Sequence, residues 1–265
     1  MTTAPVEYAE DGIAVMTLSR PHRLNAITDE LVDDVHRGID QLESDPDARV
    51  LILTGAGRGF CAGADLRQDA LSGSVRSRAT PELYSHQRRW SLMSVRLHEL
   101  PVPVIAAVNG PAVGGGFALA AACDLRIAAE SAHFSVANVR IGLTGGEMGL
   151  TWSLTRAVGS AFAAELLLTG RRCESAEALA QALVSQVVRD ADVLPAAVAL
   201  ARIVRANPAF GVFLTKEMLR VSPREATLRQ AVVLEDRSQS LSVYSGDVDR
   251  AAAEFETRDH AHREV

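Results

Sequence analysis

Cysteine is scarce in this chain of 265 residues: Cys61, Cys123 and Cys173 are all there are, odd in number, with no Cys-x-x-Cys pair. That excludes a disulfide framework and suits free thiols in a reducing compartment. Positive charge is not in excess either. Lys and Arg number 27 against 33 Asp and Glu, a net charge of -6, so there is no sequence-wide electrostatic case for nucleic acid or anionic membrane. No Gly-Lys-Ser or Gly-Lys-Thr is present, which removes a Walker phosphate loop, and no Gly-x-Ser-x-Gly elbow, which argues against an ordinary serine hydrolase. Gly55-Ala56-Gly57-Arg58-Gly59-Phe60 places Phe where the third glycine of a dinucleotide fingerprint belongs. Of the seven histidines, only His260 and His262 in the charged tail are close together, so no metal site is expected. The N-terminus lacks the cationic start and apolar run of a secretory signal. Pro101 to Cys123 runs 23 residues without a charge, but Pro103, Asn109-Gly110-Pro111 and Gly114-Gly115-Gly116 break it into strand, loop and helix start. The expectation is a soluble, cytoplasmic protein without a membrane or nucleic-acid partner.

What the chain does have is core material: 48% hydrophobic residues, enough at this length for a substantial core. Ile13 to Leu18 reads as a strand, and Asp29 to Leu42 as an amphipathic helix through Leu31, Val32, Val35, Ile39 and Leu42. Val50 to Thr54 is continuously apolar, as in a central strand covered on both faces. Tyr84 to Leu100 reads as helix, Val102 to Val108 as strand, Phe117 to Cys123 as helix and Leu125 to Ala128 as strand. Helical patterns dominate after Gly142, and from Leu194 onward hardly any strand is visible. The alternation predicts an α/β fold. Arg67 to Thr80 is polar and without period, and reads as a mobile segment; Phe255 to Val265 reads as a frayed tail.

Two segments share one pattern, a buried strand, a glycine-rich turn, then a helix start. The first runs from Leu51 to Leu66, the second from Val104 to Ala118. Small residues at a helix N-terminus leave backbone N–H groups accessible, and two such turns facing each other could hold one developing oxyanion. The same glycines could equally serve only tight strand-to-helix packing.

In order and spacing the chain resembles the enoyl-CoA hydratases and isomerases, the crotonase superfamily. The residues that carry the resemblance are Leu18-Ser19-Arg20-Pro21 with Leu24-Asn25-Ala26, Phe60-Cys61-Ala62-Gly63-Ala64-Asp65-Leu66, Pro103 to Gly110, Gly114-Gly115-Gly116, Cys123 to Ala128, and Leu168-Thr169-Gly170-Arg171. The resemblance implies a spiral of ββα units over residues 1–195 and a helical region over 196–265 used in assembly as a homotrimer or homohexamer. It implies an acyl-CoA thioester as substrate, with coenzyme A part of that substrate and no separate cofactor. Arg23, Leu24, Ala26, Ala62, Ala64, Asp65 and Leu66 match the family's acyl-CoA contacts, and its oxyanion hole falls on the amides of Ala64 and Gly115. Arg67 to Thr80 and the helix near Tyr84 are expected to shape the acyl pocket.

The chain departs from that pattern at its carboxylates. The two positions where the hydratases carry glutamate hold Ala118 and Asn138, neither able to exchange a proton at neutral pH. Glu147, in Gly145-Gly146-Glu147-Met148-Gly149, matches the place where some family isomerases and a related dehalogenase carry a functional Asp. It reads either as an acid favouring a helix N-terminus or as a single base whose pKa is raised by apolar walls such as Met148 and Trp152. One such carboxylate suffices for double-bond migration. Hydration with a water held by Glu147 and Asn138 is the alternative, and a catalytically weak acyl-CoA-binding protein the third reading. Cys61 reads as a buried structural thiol, Asp65 as a residue capping or positioning the helix after the loop, and Lys216 as a surface lysine or a CoA phosphate contact.

Overall fold

The structure, a computed structural model, describes residues 6–65, 79–221 and 227–243 together with Asp247 and Arg250. Arg67 to Arg78, Leu66 and the tail from 251 lie outside the described residues. Strands β1 (Val6–Glu10) and β2 (Ile13–Leu18) pair antiparallel, and β2 pairs in parallel with β3 (Val50–Gly55), all of whose residues are buried. Between β2 and β3, helix α1 (Asp29–Glu43) turns inward the five apolar residues whose spacing predicts it, with Thr28 as its cap. Burial of each such side chain is worth about 1.5–3 kcal/mol.

Helix α2 (Thr80–Glu99) leads to β4 (Val104–Val108), and α3 (Gly115–Ala122) to β6 (Leu125–Ala129); the two-residue strand β5 (Ala112–Val113) lies between β4 and α3. The strand expected from Val102 starts two residues later, since Pro103 has no N–H for the ladder, though its carbonyl accepts from the Leu51 amide at 2.9 Å. Two sheets result, one of order β1-β2-β3-β4-β6-β9, the other β5-β7-β8, with β7 spanning His133–Ser135, β8 Arg172–Glu174 and β9 Gln186–Val188. Strands of two or three residues have no period to read, so these went unforeseen. Glycine-broken helices α4 (Leu150–Val158) and α5 (Ser160–Thr169) precede β8, and α6 (Ser175–Ala180) follows it.

By its contacts the chain divides into two compact units, 1–203 and 204–265. Helix α7 (Val193–Arg205) crosses that division at its last turn; in the second unit α8 (Ala209–Val221) packs on α9 (Leu228–Val243). Among the described residues no single helix is long and apolar enough to cross a membrane.

Candidate active site

Strands β3 and β4 are parallel neighbours, so the turns that leave them emerge at the same edge of the sheet, where ligands bind in open parallel sheets. Two buried or half-buried asparagines hold the turn after β3 in place, and one of them ties it to the turn after β4. Asn109 Nδ2 donates to the carbonyls of Gly55 and Gly57, both at 2.8 Å, while its Oδ1 accepts from the Gly55 amide at 3.2 Å. Asn25, fully buried, accepts from the Arg20 amide at 2.8 Å and donates to the carbonyls of Ala56, Gly59 and Phe60. Leu24 and Asn25 both have positive φ (50° and 55°), a conformation costing roughly 1–2 kcal/mol per residue, and the Asn25 bonds hold it. Sequence reasoning alone misses the role of both asparagines, although each stands next to a turn signal.

Residues 61–65 are not helical but bridged, and the helix start expected beyond them lies outside the described residues. The segment is bridged on both sides: the Ala62 amide donates to Leu24 O and Cys61's to Pro111 O, and the Val113 amide donates to Cys61 O. This bridged segment decides where the Ala64 amide points. The Ile27 amide donates to Gly63 O at 2.8 Å and the Asp65 amide to Ile27 O at 3.0 Å. Residue 64, between them, therefore turns its own N–H away from Ile27, toward the side on which residues 111–113 run. Gly115 opens α3, where an N–H has no intrahelical acceptor and the helix dipole adds partial positive charge. A β-carbon on Gly63 would sit 3.5 Å from the Gly115 nitrogen and 2.7 Å from Val113 O. The two loops are thus in backbone contact beside both amides, and Gly63 (φ 81°) allows it.

Glu147 reaches the same place. Its Oε2 and Oε1 lie 3.5 and 3.8 Å from where β-carbons on Gly114 and Gly115 would sit, and Asn138 Nδ2 donates to Oε2 at 2.5 Å. Burial pushes the carboxyl above the ordinary glutamate value of 4.5, opposed by the Asn138 bond. Gly114 (φ 53°) has Asn138 Oδ1 only 2.7 Å from its missing β-carbon, so a side chain there would be strained and would displace the Asn138 amide from the pair. Cys61 is fully buried, and burial pushes its thiol up to about 12, with the Glu147 carboxylate adding to the shift; it is a structural thiol.

A cavity of about 590 Å³ opens here. Of the sequence-predicted residues it gathers Ala62, Ala64, Asn138 and Glu147, with Gly63 and Gly114. Arg23 is exposed, Leu24 half-buried and Ala26 buried, and none of them lines the cavity; Leu24 O and Ala26 O instead accept the Ala62 amide and the Arg20 guanidinium. Asp65 is buried and takes Arg20 at 3.1 Å, which clamps the loop around 20–27 to the loop around 61–65. Leu66 lies outside the described residues. Ala118 is buried within α3. Trp152 is a correction: it is exposed, stacked under Arg156 at 4.0 Å and edge-on to His98, and walls nothing around Glu147. That apolar role falls to Met148, whose sulfur is 3.1 Å from the missing β-carbon of Gly115, and to Ile27. The remaining walls are Ile141, Leu143 and the α2 residues Tyr84, His86, Gln87 and Trp90. Of these, the sequence pointed only to the neighbourhood of Tyr84. Among the described residues no cluster of His, Cys, Asp and Glu could hold a metal ion.

This is the crotonase fold: the crystal structure of enoyl-CoA hydratase from Bacillus anthracis superposes with a TM-score of 0.88 at 30% identity, over 96% of this chain and 95% of that one. The family described as enoyl-CoA hydratase/isomerase matches residues 8–262, and the chain belongs to that family, enzymes of the lyase and isomerase class that act on acyl-CoA thioesters. Its relatives carry both kinds of name. The 1,2-epoxyphenylacetyl-CoA isomerase of Escherichia coli is 38% identical over 251 residues, 94% of each chain. A Mycobacterium tuberculosis protein named "Probable enoyl-CoA hydratase EchA12" is 40% identical over 218 residues, 81% of this chain and 75% of that one.

Proposed function

We propose that the chain shifts a double bond in an enoyl-CoA thioester through an enolate, with Glu147 as the proton carrier and the Ala64 and Gly115 amides as the oxyanion hole. The carboxylate takes a proton from one carbon of the acyl chain. The C–H electrons form a new C=C bond, and the thioester carbonyl electrons move onto oxygen, where the two amides stabilise the charge by about 3 kcal/mol each. Glu147 then returns its proton two carbons away, the carbonyl re-forms and the carboxylate is regenerated. A carboxyl with a raised pKa suits both halves of this exchange.

The observation that carries the reading is the single buried carboxylate beside two main-chain donors: Glu147 is the one Asp or Glu lining the cavity among the described residues, while Ala118 and Asn138 stand where a second and third would be. Proton transfer written this way needs only the substrate's own coenzyme A. Assembly as a homotrimer or homohexamer in the cytoplasm belongs to the same proposal. The exposed Leu168, Leu219 and Leu228 support assembly, and sedimentation velocity reads it.

Hydration is the second reading, favoured by the Asn138–Glu147 pair, which presents a donor and an acceptor to the cavity and could fix a water, and by relatives named hydratase. Incubation with 2-enoyl- and 3-enoyl-CoA esters separates the readings. Isomerisation leaves the mass unchanged and moves the olefinic proton resonances; hydration adds the mass of water. Binding without conversion of any ester would leave an acyl-CoA-binding protein.

A further inference from the structure

Along α2 the cavity wall is one face of a helix. Thr80, Leu83, Tyr84, Gln87 and Trp90 line it, recurring every three to four residues as a single helical face does. From Thr80 to Trp90 that face is about 15 Å long, at about 1.5 Å per residue. It passes from Trp90, 4% exposed, to Tyr84, 66% exposed. The wall is fixed from behind: Trp90 Nε1 donates to Asp29 Oδ1 at 2.9 Å and the Arg89 guanidinium donates to the same oxygen at 3.1 Å, which ties α2 to the first turn of α1. Ile141 and Leu143 line the cavity as well, and with Leu83 and Tyr84 they make four large apolar side chains that are exposed in the lining of one site. Apolar surface gathered in this way marks a place that an apolar ligand covers.

Size points the same way. A cavity of about 590 Å³ holds about twenty groups of the size of a water or a methylene, at about 30 Å³ each. A four-carbon acyl group, with three C–C bonds of about 1.5 Å each, would cover less than a third of the α2 face and leave the apolar rim in water. From this we infer that the natural thioester carries an apolar acyl group of about eight carbons or more, whose far end is covered by Leu83, Tyr84, Ile141 and Leu143, and that these four side chains set the selectivity for length. The inference rests on the acyl-CoA reading of the cavity and specifies its substrate. The nucleotide and the amide-bearing arm of coenzyme A are too polar to cover such a rim without loss, which leaves the hydrocarbon end of the substrate for it.

Binding of saturated acyl-CoA esters tests this apart from catalysis, because such esters have no double bond to move. Calorimetry on the full chain compares butanoyl-, hexanoyl- and octanoyl-CoA. Each added methylene should tighten binding about three- to fourfold, the fold-change for about 0.8 kcal/mol, so that octanoyl-CoA binds about 100-fold more tightly than butanoyl-CoA. In the double variant Leu83→Ser/Leu143→Ser, which replaces two exposed side chains, that ratio should fall by about tenfold or more. Equal affinity for the butanoyl and octanoyl esters, or a ratio that survives the double substitution unchanged, would overturn the inference. The length series on the unmodified protein decides even where the variant does not fold. Failure of the reading beneath it looks different: no ester of any length binds, or turnover is retained in Glu147→Gln.

Discussion

The two glycine-bearing turns look interchangeable in sequence, yet they free their amides by different means. The turn after β4 does so by starting a helix: Gly115 lies in the first turn of α3, where no intrahelical acceptor exists. The turn after β3 does so through a parallel bridge to Ile27, which forces the Ala64 N–H to the far side. A helix terminus carries its own dipole; a bridged segment has none, and depends on its neighbours for aim. The first turn is therefore the more fragile of the two, held by Asn25 and Asn109 and by a backbone contact that glycine alone permits.

Substitutions can break that difference, and the largest effect is expected where the turns touch. A β-carbon on Gly116 would lie 2.1 Å from Cys61 O, backbone against backbone, so Gly116→Ala must push the turns apart. It should lower stability by about 1–3 kcal/mol and abolish turnover, checked by thermal melts and single-turnover assays. Next comes the proton carrier. Glu147→Gln keeps both turns in place and should lower turnover by about 10²–10⁴-fold with acyl-CoA affinity kept. Asn25→Ala should follow, removing the tie on the bridged turn. A loss of about 1–3 kcal/mol in stability, with a greater proportional loss in kcat than in affinity, would mark it as a positioning residue.

Smaller effects concern pH. Because burial raises the Glu147 carboxyl above 4.5, kcat/KM should climb with pH through a midpoint above that value. Asn138→Leu, which removes the bond that opposes the shift, should move the midpoint higher still. The same shift has a stability sign. Between the unfolded and folded values the folded state binds the extra proton, so stability falls as pH rises through that window. Glu147→Gln should then be slightly more stable than the unmodified chain at pH 7–8, with the gap closing below about pH 4. A Gln variant that melts lower at neutral pH would show the burial to be compensated elsewhere.

How much of this was legible beforehand follows from what a linear pattern can encode. Helix α1 and strands β3 and β4 were readable because the apolar residues of α1 repeat with the helical period, while β3 and β4 are short, nearly continuous apolar runs buried throughout. Glu147 was readable as chemistry in a glycine-rich setting, and Ala118 and Asn138 as departures. The bridged course of 61–65 was not, since two isolated bridges to residues 37 and 51 positions away leave no local period. Nor was Trp152's position, because the pattern of α4 tells which residues face inward and Trp152 sits on its margin, under Arg156. The Arg89–Asp29 pair joins residues 60 apart, and nothing near either one announces the other.

The central claim is that the Ala64 and Gly115 amides share one carbonyl oxygen, and the most direct measurement is of those amides. In the 15N-labelled protein, adding an acyl-CoA thioester should move the Ala64 and Gly115 amide proton resonances downfield together. The corresponding CoA thioether, which lacks the carbonyl, should bind without moving them. If one amide responds alone, or both respond equally to the thioether, the two donors do not converge and the mechanism built on them is wrong.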